Sequence, residues 1–104
     1  MDIPAIDVET LSDKLEAGLP VFDVRQPDEY EEAHAPGVVL VPLDQVPDRV
    51  AEFPTDGEVY VICKSGGRSA KAVEFLRAKG VDAVNVAGGT MAWIEAGKPV
   101  ESGA

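Results

Sequence analysis

One cysteine stands among the 104 residues of this chain, and its neighbours are those a reactive thiol needs. The stretch Cys63-Lys64-Ser65-Gly66-Gly67-Arg68-Ser69 follows the apolar run Val59-Tyr60-Val61-Ile62. A continuous apolar run of that length suits a parallel strand covered on both faces. In open α/β sheets, ligands bind at the carboxyl ends of the strands. Gly66 and Gly67 permit backbone conformations closed to other residues, so successive N–H groups can turn inward as an anion-binding nest. A helix starting after the loop adds unpaired N–H groups and positive potential. Both features lower a thiol pKa and favour the nucleophilic thiolate, in a site expected to be partly exposed. A lone cysteine is most often a small buried hydrophobe. The glycine pair, the clustered bases and the strand-to-helix transition, all within these seven residues, tip the balance toward chemistry.

The charge distribution singles out the same segment. The chain has 9 basic and 19 acidic residues and a net charge of −10. Such a balance disfavours binding to nucleic acid or to an anionic membrane surface. Residues 1–52 hold 13 acids and 3 bases, whereas residues 53–104 hold 6 of each. Between positions 63 and 79 the bases Lys64, Arg68, Lys71, Arg77 and Lys79 face one acid, Glu74. Arg68 and Lys71 lie near a helix start, where the helix dipole disfavours cations. An anionic ligand, an internal carboxylate or the thiolate would offset that cost, as would simple solvation.

The elements that must position this loop can be read from the rest of the chain. Its length suits one domain with one core, with residues 4–96 as the folded part and 97–104 as a flexible tail. Hydrophobic residues make up 45% and charged residues 27%, which argues against wholesale disorder. Strands are predicted at 5–6, 19–24, 37–41, 59–62 and 83–86. Helices are predicted at 9–17, 28–33, 43–53, 69–79 and 90–95, with Gly18 and Gly80 as stops and Ala70, Val73 and Leu76 as the apolar stripe of the fourth. Alternating strands and helices imply an α/β domain with a mainly parallel central sheet flanked by helices. No apolar run is long enough to span a bilayer, and Met1-Asp2-Ile3-Pro4 does not start a secretory signal. One cysteine excludes an internal disulfide framework, and with one histidine leaves too few soft ligands for structural zinc. The expected compartment is the reducing cytoplasm.

Four segments, in order, resemble those of single-domain rhodaneses, the sulfurtransferases. Asp23-Val24-Arg25 followed by Glu29-Tyr30 resembles the first signature, and His34-Ala35-Pro36-Gly37 the segment after it. Cys63 to Ser69 resembles the active-site loop, and Gly88-Gly89-Thr90-Met91-Ala92-Trp93 the closing motif. Ala33 stands where glycine is common in the family, and Ala35 replaces a larger apolar residue; both read as packing variation. The resemblance covers nearly the whole chain and implies a three-layer rhodanese-like domain. It also implies sulfur carried as a Cys63 persulfide, taken from thiosulfate or a related small anionic donor. The acceptor would be an external thiol of glutathione, thioredoxin or dihydrolipoate type, cyanide in an assay, or a sulfur-relay protein. No cofactor or metal is implied.

Within that reading Cys63 is the nucleophile, and residues 64 to 69 form the anion-binding loop. Lys64 and Arg68 are candidates for an exposed basic rim that binds the donor. Arg68 is slightly favoured instead as a loop holder paired with Glu29 or Asp23, and Ser65 and Ser69 are candidate hydroxyl donors to sulfur. Asp23, Arg25 and Glu29 are read as structural supports, His34 as a local hydrogen-bonding residue and Trp93 as core or pocket wall. Asp28, Glu29, Glu31 and Glu32 read as a solvated helical face, with a basic protein partner as the lesser alternative. Two rival functions remain open: a noncatalytic interaction module or protein-to-protein relay, and, less favoured, a cysteine phosphatase or arsenate reductase. The loop has four residues between Cys63 and Arg68, one fewer than the related phosphatase loop, and lacks an acid for a leaving group.

Overall fold

The computed structural model describes residues 3–103, so the expectations about the first two residues and about Ala104 lie outside the described residues. Five strands form one sheet in the order β1-β5-β4-β2-β3. They are β1 Ala5–Ile6, β2 Val21–Asp23, β3 Val39–Leu40, β4 Glu58–Ile62 and β5 Asp82–Val86. Every adjacent pair is parallel. The helices are α1 Val8–Glu16, α2 Pro27–Glu32, α3 Gly67–Ala78 and α4 Gly89–Glu95, with a 3-10 segment at Leu43–Glu52.

Side chains alternate across a strand, and β4 shows how that divides the core. Val59 and Val61 join Ala72, Val73 and Leu76 of α3, together with Val46 and Phe53 of the 3-10 region and its end. Tyr60 and Ile62 join Val8 and Leu11 of α1 and Trp93 of α4. The sheet is therefore the middle of three layers, as the α/β reading requires. Its central strand is buried on both faces because both faces carry helices.

Local chemistry fixes the helix starts. Asp7 caps α1 by accepting the Thr10 N–H at 2.9 Å. Pro27 sits in the first turn of α2, and the Glu29 carboxylate accepts the Gln26 N–H at 3.0 Å. Helix α3 begins two residues earlier than the predicted 69, at Gly67. Its buried line runs through Ser69, Ala72, Val73 and Leu76, and Ala70 of the predicted stripe is only half-buried. The face is rotated because Ser69 is drawn inward by polar partners described below.

The predicted strands at 19–24 and 37–41 are shorter here. Leu19 is held back by its N–H on the Lys14 carbonyl at 3.1 Å, and β3 is an edge strand with one partner. The helical stretch 43–53 is 3-10, with Pro47 inside it and Arg49 off helical geometry. Residues of the predicted tail, 97–103, make contacts back to the folded part. His34 and Glu101 exchange backbone hydrogen bonds at 2.9 and 2.8 Å, and the Gly103 N–H donates to the Glu31 carbonyl at 2.7 Å. The Trp93 indole N–H donates to the Pro99 carbonyl at 2.7 Å, and Lys98 pairs with Glu9 at 3.0 Å. Hydrophobicity alone does not announce such a strap, because its partners are backbone atoms far along the chain.

Candidate active site

Strand β4 ends at Ile62 and places Cys63 at the carboxyl edge of the sheet, against the start of α3. Cys63 is 1% exposed, so the expectation of a partly exposed site is corrected for the thiol itself. The loop closes over it. Gly66 adopts φ +109°, a left-handed conformation that suits glycine, and turns its N–H onto Cys63 Sγ at 3.1 Å. The Ser69 hydroxyl lies 3.3 Å from the same sulfur. Ser65 is exposed and contributes its backbone N–H.

These donors decide the ionisation of the thiol. Burial pushes the Cys63 pKa up. The Ser69 hydroxyl and the backbone N–H groups of Ser69, Gly66 and Ser65 favour the thiolate and outweigh burial, so the net shift is downward. The Ser69 hydroxyl also approaches Asn85 Oδ1 at 2.5 Å and the Gly66 carbonyl at 3.2 Å. One hydroxyl hydrogen serves these three acceptors, so Asn85 bears directly on how much of it the sulfur receives. Ser69→Ala is expected to raise the Cys63 pKa, because desolvation stays while a donor is lost. The acidic limb of a rate–pH profile, or of thiol alkylation, should then move to higher pH; an unmoved limb would refute this account.

A second backbone arrangement supports the loop from behind. At the start of α4 the Thr90 N–H donates to the Cys63 carbonyl at 2.8 Å and the Met91 N–H to the Lys64 carbonyl at 3.0 Å. Gly89 allows this approach. A Cβ there would lie 2.4 Å from the Cys63 carbonyl oxygen and 2.6 Å from that of Lys64, at φ +59°.

The cations of the site are distributed differently from the predicted basic rim. Arg68 meets Glu29 through two short bonds of 2.6 and 2.8 Å, tying α3 to α2. That guanidinium holds the Glu29 carboxyl down at about 2, helped by the Gln26 N–H. Arg25 is buried on Asp23, with its Nε 3.0 Å from both carboxylate oxygens and Nη2 at 2.7 Å, and it also donates to the Ala33 carbonyl at 2.8 Å. Both arginines thus spend their charge on internal carboxylates. Lys64 is exposed and borders a cleft of about 280 Å³. The other residues lining it include Arg25, Asp28, Glu29, Glu32, Thr90, Met91 and Ile94. The rim is mixed and carries three acids, because the topology brings α2 against the loop.

His34 is occupied elsewhere. Its ring stacks on Tyr30 with centroids 3.7 Å apart, and its Nδ1 lies 2.7 Å from the Tyr30 carbonyl, to which it donates. Trp93 is buried in the core. Asn85 and Thr90 were not singled out from sequence as site residues. The available signal for Asn85 was an amide interrupting an apolar parallel strand, since a buried polar group must find a partner. Among the described residues no cluster of three or more His, Cys, Asp or Glu could hold a metal ion, and no helix is long and apolar enough to cross a membrane.

Comparison with known proteins places this geometry in context. Residues 7–96 match the family model described as "Rhodanese-like domain". A sulfurtransferase of Allochromatium vinosum is 36% identical over 98 residues, covering 91% of this chain and 92% of that one. YrkF of Bacillus subtilis, named as a candidate sulfur carrier, is 40% identical over 94 residues; the match takes in 88% of this chain but only 51% of YrkF. The crystal structure of a rhodanese-like domain protein from Staphylococcus aureus superposes with a TM-score of 0.87 at 36% identity, covering 98% of this chain and all of that one.

Proposed function

This chain belongs to the rhodanese-like sulfurtransferase family, and from that membership we propose that it carries sulfane sulfur as a persulfide on Cys63. The observation that carries the reading is the sulfur itself, buried with Gly66 N–H and Ser69 O–H directed at it. In the first displacement the Cys63 thiolate attacks the outer sulfur of thiosulfate or a related persulfide donor. A bond forms between the two sulfurs as the donor's S–S bond breaks. Sulfite, in the case of thiosulfate, leaves with the electron pair. The loop N–H groups stabilise the negative charge on the terminal sulfur by preorganisation. In the second displacement an external thiolate, or cyanide in an assay, attacks that sulfur and the Cys63 thiolate departs. With one cysteine in the chain, no internal thiol can perform this step. Two displacements through a covalent intermediate predict ping-pong kinetics.

Among the described residues lining the cleft, Lys64 is the cation without an ion-pair partner, and it is placed to meet an anionic donor. Arg68, Glu29, Asp23 and Arg25 hold the loop and α2 in place, and Ser65, Gly66, Gly67 and Ser69 shape and supply the sulfur-facing donors. A protein-to-protein relay is a second reading, favoured by the acids on the cleft rim and by likeness to a candidate sulfur carrier. The test common to both is the intact mass after brief exposure to thiosulfate. Gain of one sulfur atom, lost again on adding cyanide, is the expected result. A chain that gains no sulfur from thiosulfate or from a small-molecule persulfide would refute the reading.

A further inference from the structure

The cleft beside the Cys63 loop has an acidic wall and an apolar wall. Asp28 and Glu32 project from α2, are exposed, and enter no ion pair among the described residues. Their neighbour Glu29 is neutralised by Arg68, and Arg25 by Asp23, so the uncommitted charges on the cleft are two acids against Lys64. Across the cleft α4 presents Met91 and Ile94, 45% and 49% exposed, at positions three apart on one helical face. Thr90 also lines the cleft. It is 3% exposed, and its hydroxyl oxygen has no hydrogen-bond partner.

We infer that this cleft docks a protein segment that is basic with an apolar contact residue, and that this is how the sulfur partner presents its thiol. The role as sulfur partner rests on the reading of Cys63 above. Lysine or arginine side chains of the segment would meet Asp28 and Glu32, and an apolar side chain would cover Met91 and Ile94. A small dianion such as thiosulfate fits this rim poorly, since two of its three uncommitted charges repel it. Charge complementarity of this kind steers encounter and selects partners.

The test uses two labelled peptides that differ only in whether lysines or glutamates flank a central leucine, with binding followed by fluorescence anisotropy. The lysine peptide should bind about tenfold more tightly at low ionic strength, and the advantage should shrink at about 0.5 M salt. The double substitution D28K/E32K should reverse the preference while lowering the KM for thiosulfate, opposite effects that misfolding cannot produce. Equal binding of the two peptides, or a preference unmoved by D28K/E32K, would overturn the inference. Intact mass after thiosulfate, measured on the same samples, separates the two claims. Persulfide without peptide discrimination would refute the docking surface alone. Discrimination without a persulfide from any small donor would leave the surface standing and remove the sulfur chemistry.

Discussion

Cys63→Ser is expected to lower sulfur transfer by at least about a thousandfold while leaving the fold intact. Serine has nearly the shape of cysteine, and its oxygen can accept from Gly66 N–H and Ser69 O–H where the sulfur now does. The surroundings therefore tolerate the replacement. The chemistry does not, because the hydroxyl stays protonated at neutral pH and cannot hold a terminal sulfur as a persulfide does. The measurements are the thiosulfate-to-cyanide rate and the far-ultraviolet circular dichroism of the same preparation. A variant that retains transfer would exclude Cys63 as the carrier. The thiol is buried in the core cluster, so a small loss of melting temperature is compatible with the prediction.

Asp23→Ala should have the largest effect on stability, about 3–5 kcal/mol. Asp23 is fully buried at the end of β2, and Arg25 is buried with it. Deleting the carboxylate removes both acceptors of the Arg25 Nε and one of the two acceptors of Nη2, and it leaves a cation almost out of water. Breaking one half of a buried pair is costly for that reason, although the intact pair adds little. For a domain whose total stability is about 5–15 kcal/mol, such a loss is a large share of the whole. Urea unfolding measures it directly. A loss below about 1 kcal/mol would mean that Arg25 reaches solvent or another acceptor when its partner is gone. Asp23→Asn retains an acceptor but not the charge, and should fall between the variant and the parent.

The site was legible in the sequence where its parts are contiguous. Cysteine, glycines and serine lie within one loop, and local chain geometry suffices to aim Gly66 N–H and Ser69 O–H at the sulfur. The α/β class was equally legible, because the apolar runs and helical stripes alternate along the chain. The electrostatics of the rim were not. Counting bases between positions 63 and 79 suggested a cationic site, yet the acids that face the loop come from α2, and Arg68 finds Glu29 across 39 residues of sequence. Pairing of Arg68 with Glu29 or Asp23 is slightly favoured over donor contact from the sequence, but the choice between the two carboxylates is made only by the fold. The same limit applies to Asn85 and to the strap at 97–103. Their significance lies in partners brought close only by the sheet, and no periodicity within their own segments encodes it.

The all-parallel order β1-β5-β4-β2-β3 also governs when the Cys63 loop acquires its distant supports during folding. A parallel pair cannot form from a tight hairpin; each pairing waits for a crossover connection to close, and such contacts form slowly. Strand β4 gains its two neighbours from opposite directions along the chain, β2 from before it and β5 from after. Asn85 reaches Ser69 only once β5 has joined, and the N–H groups of Thr90 and Met91 reach the carbonyls behind the thiol only once α4 has followed. A chain in which β5 and α4 have not yet joined therefore holds the Cys63 loop without the contacts that brace it from behind. Completion of the sheet is thus the step that gives the loop its full set of supports.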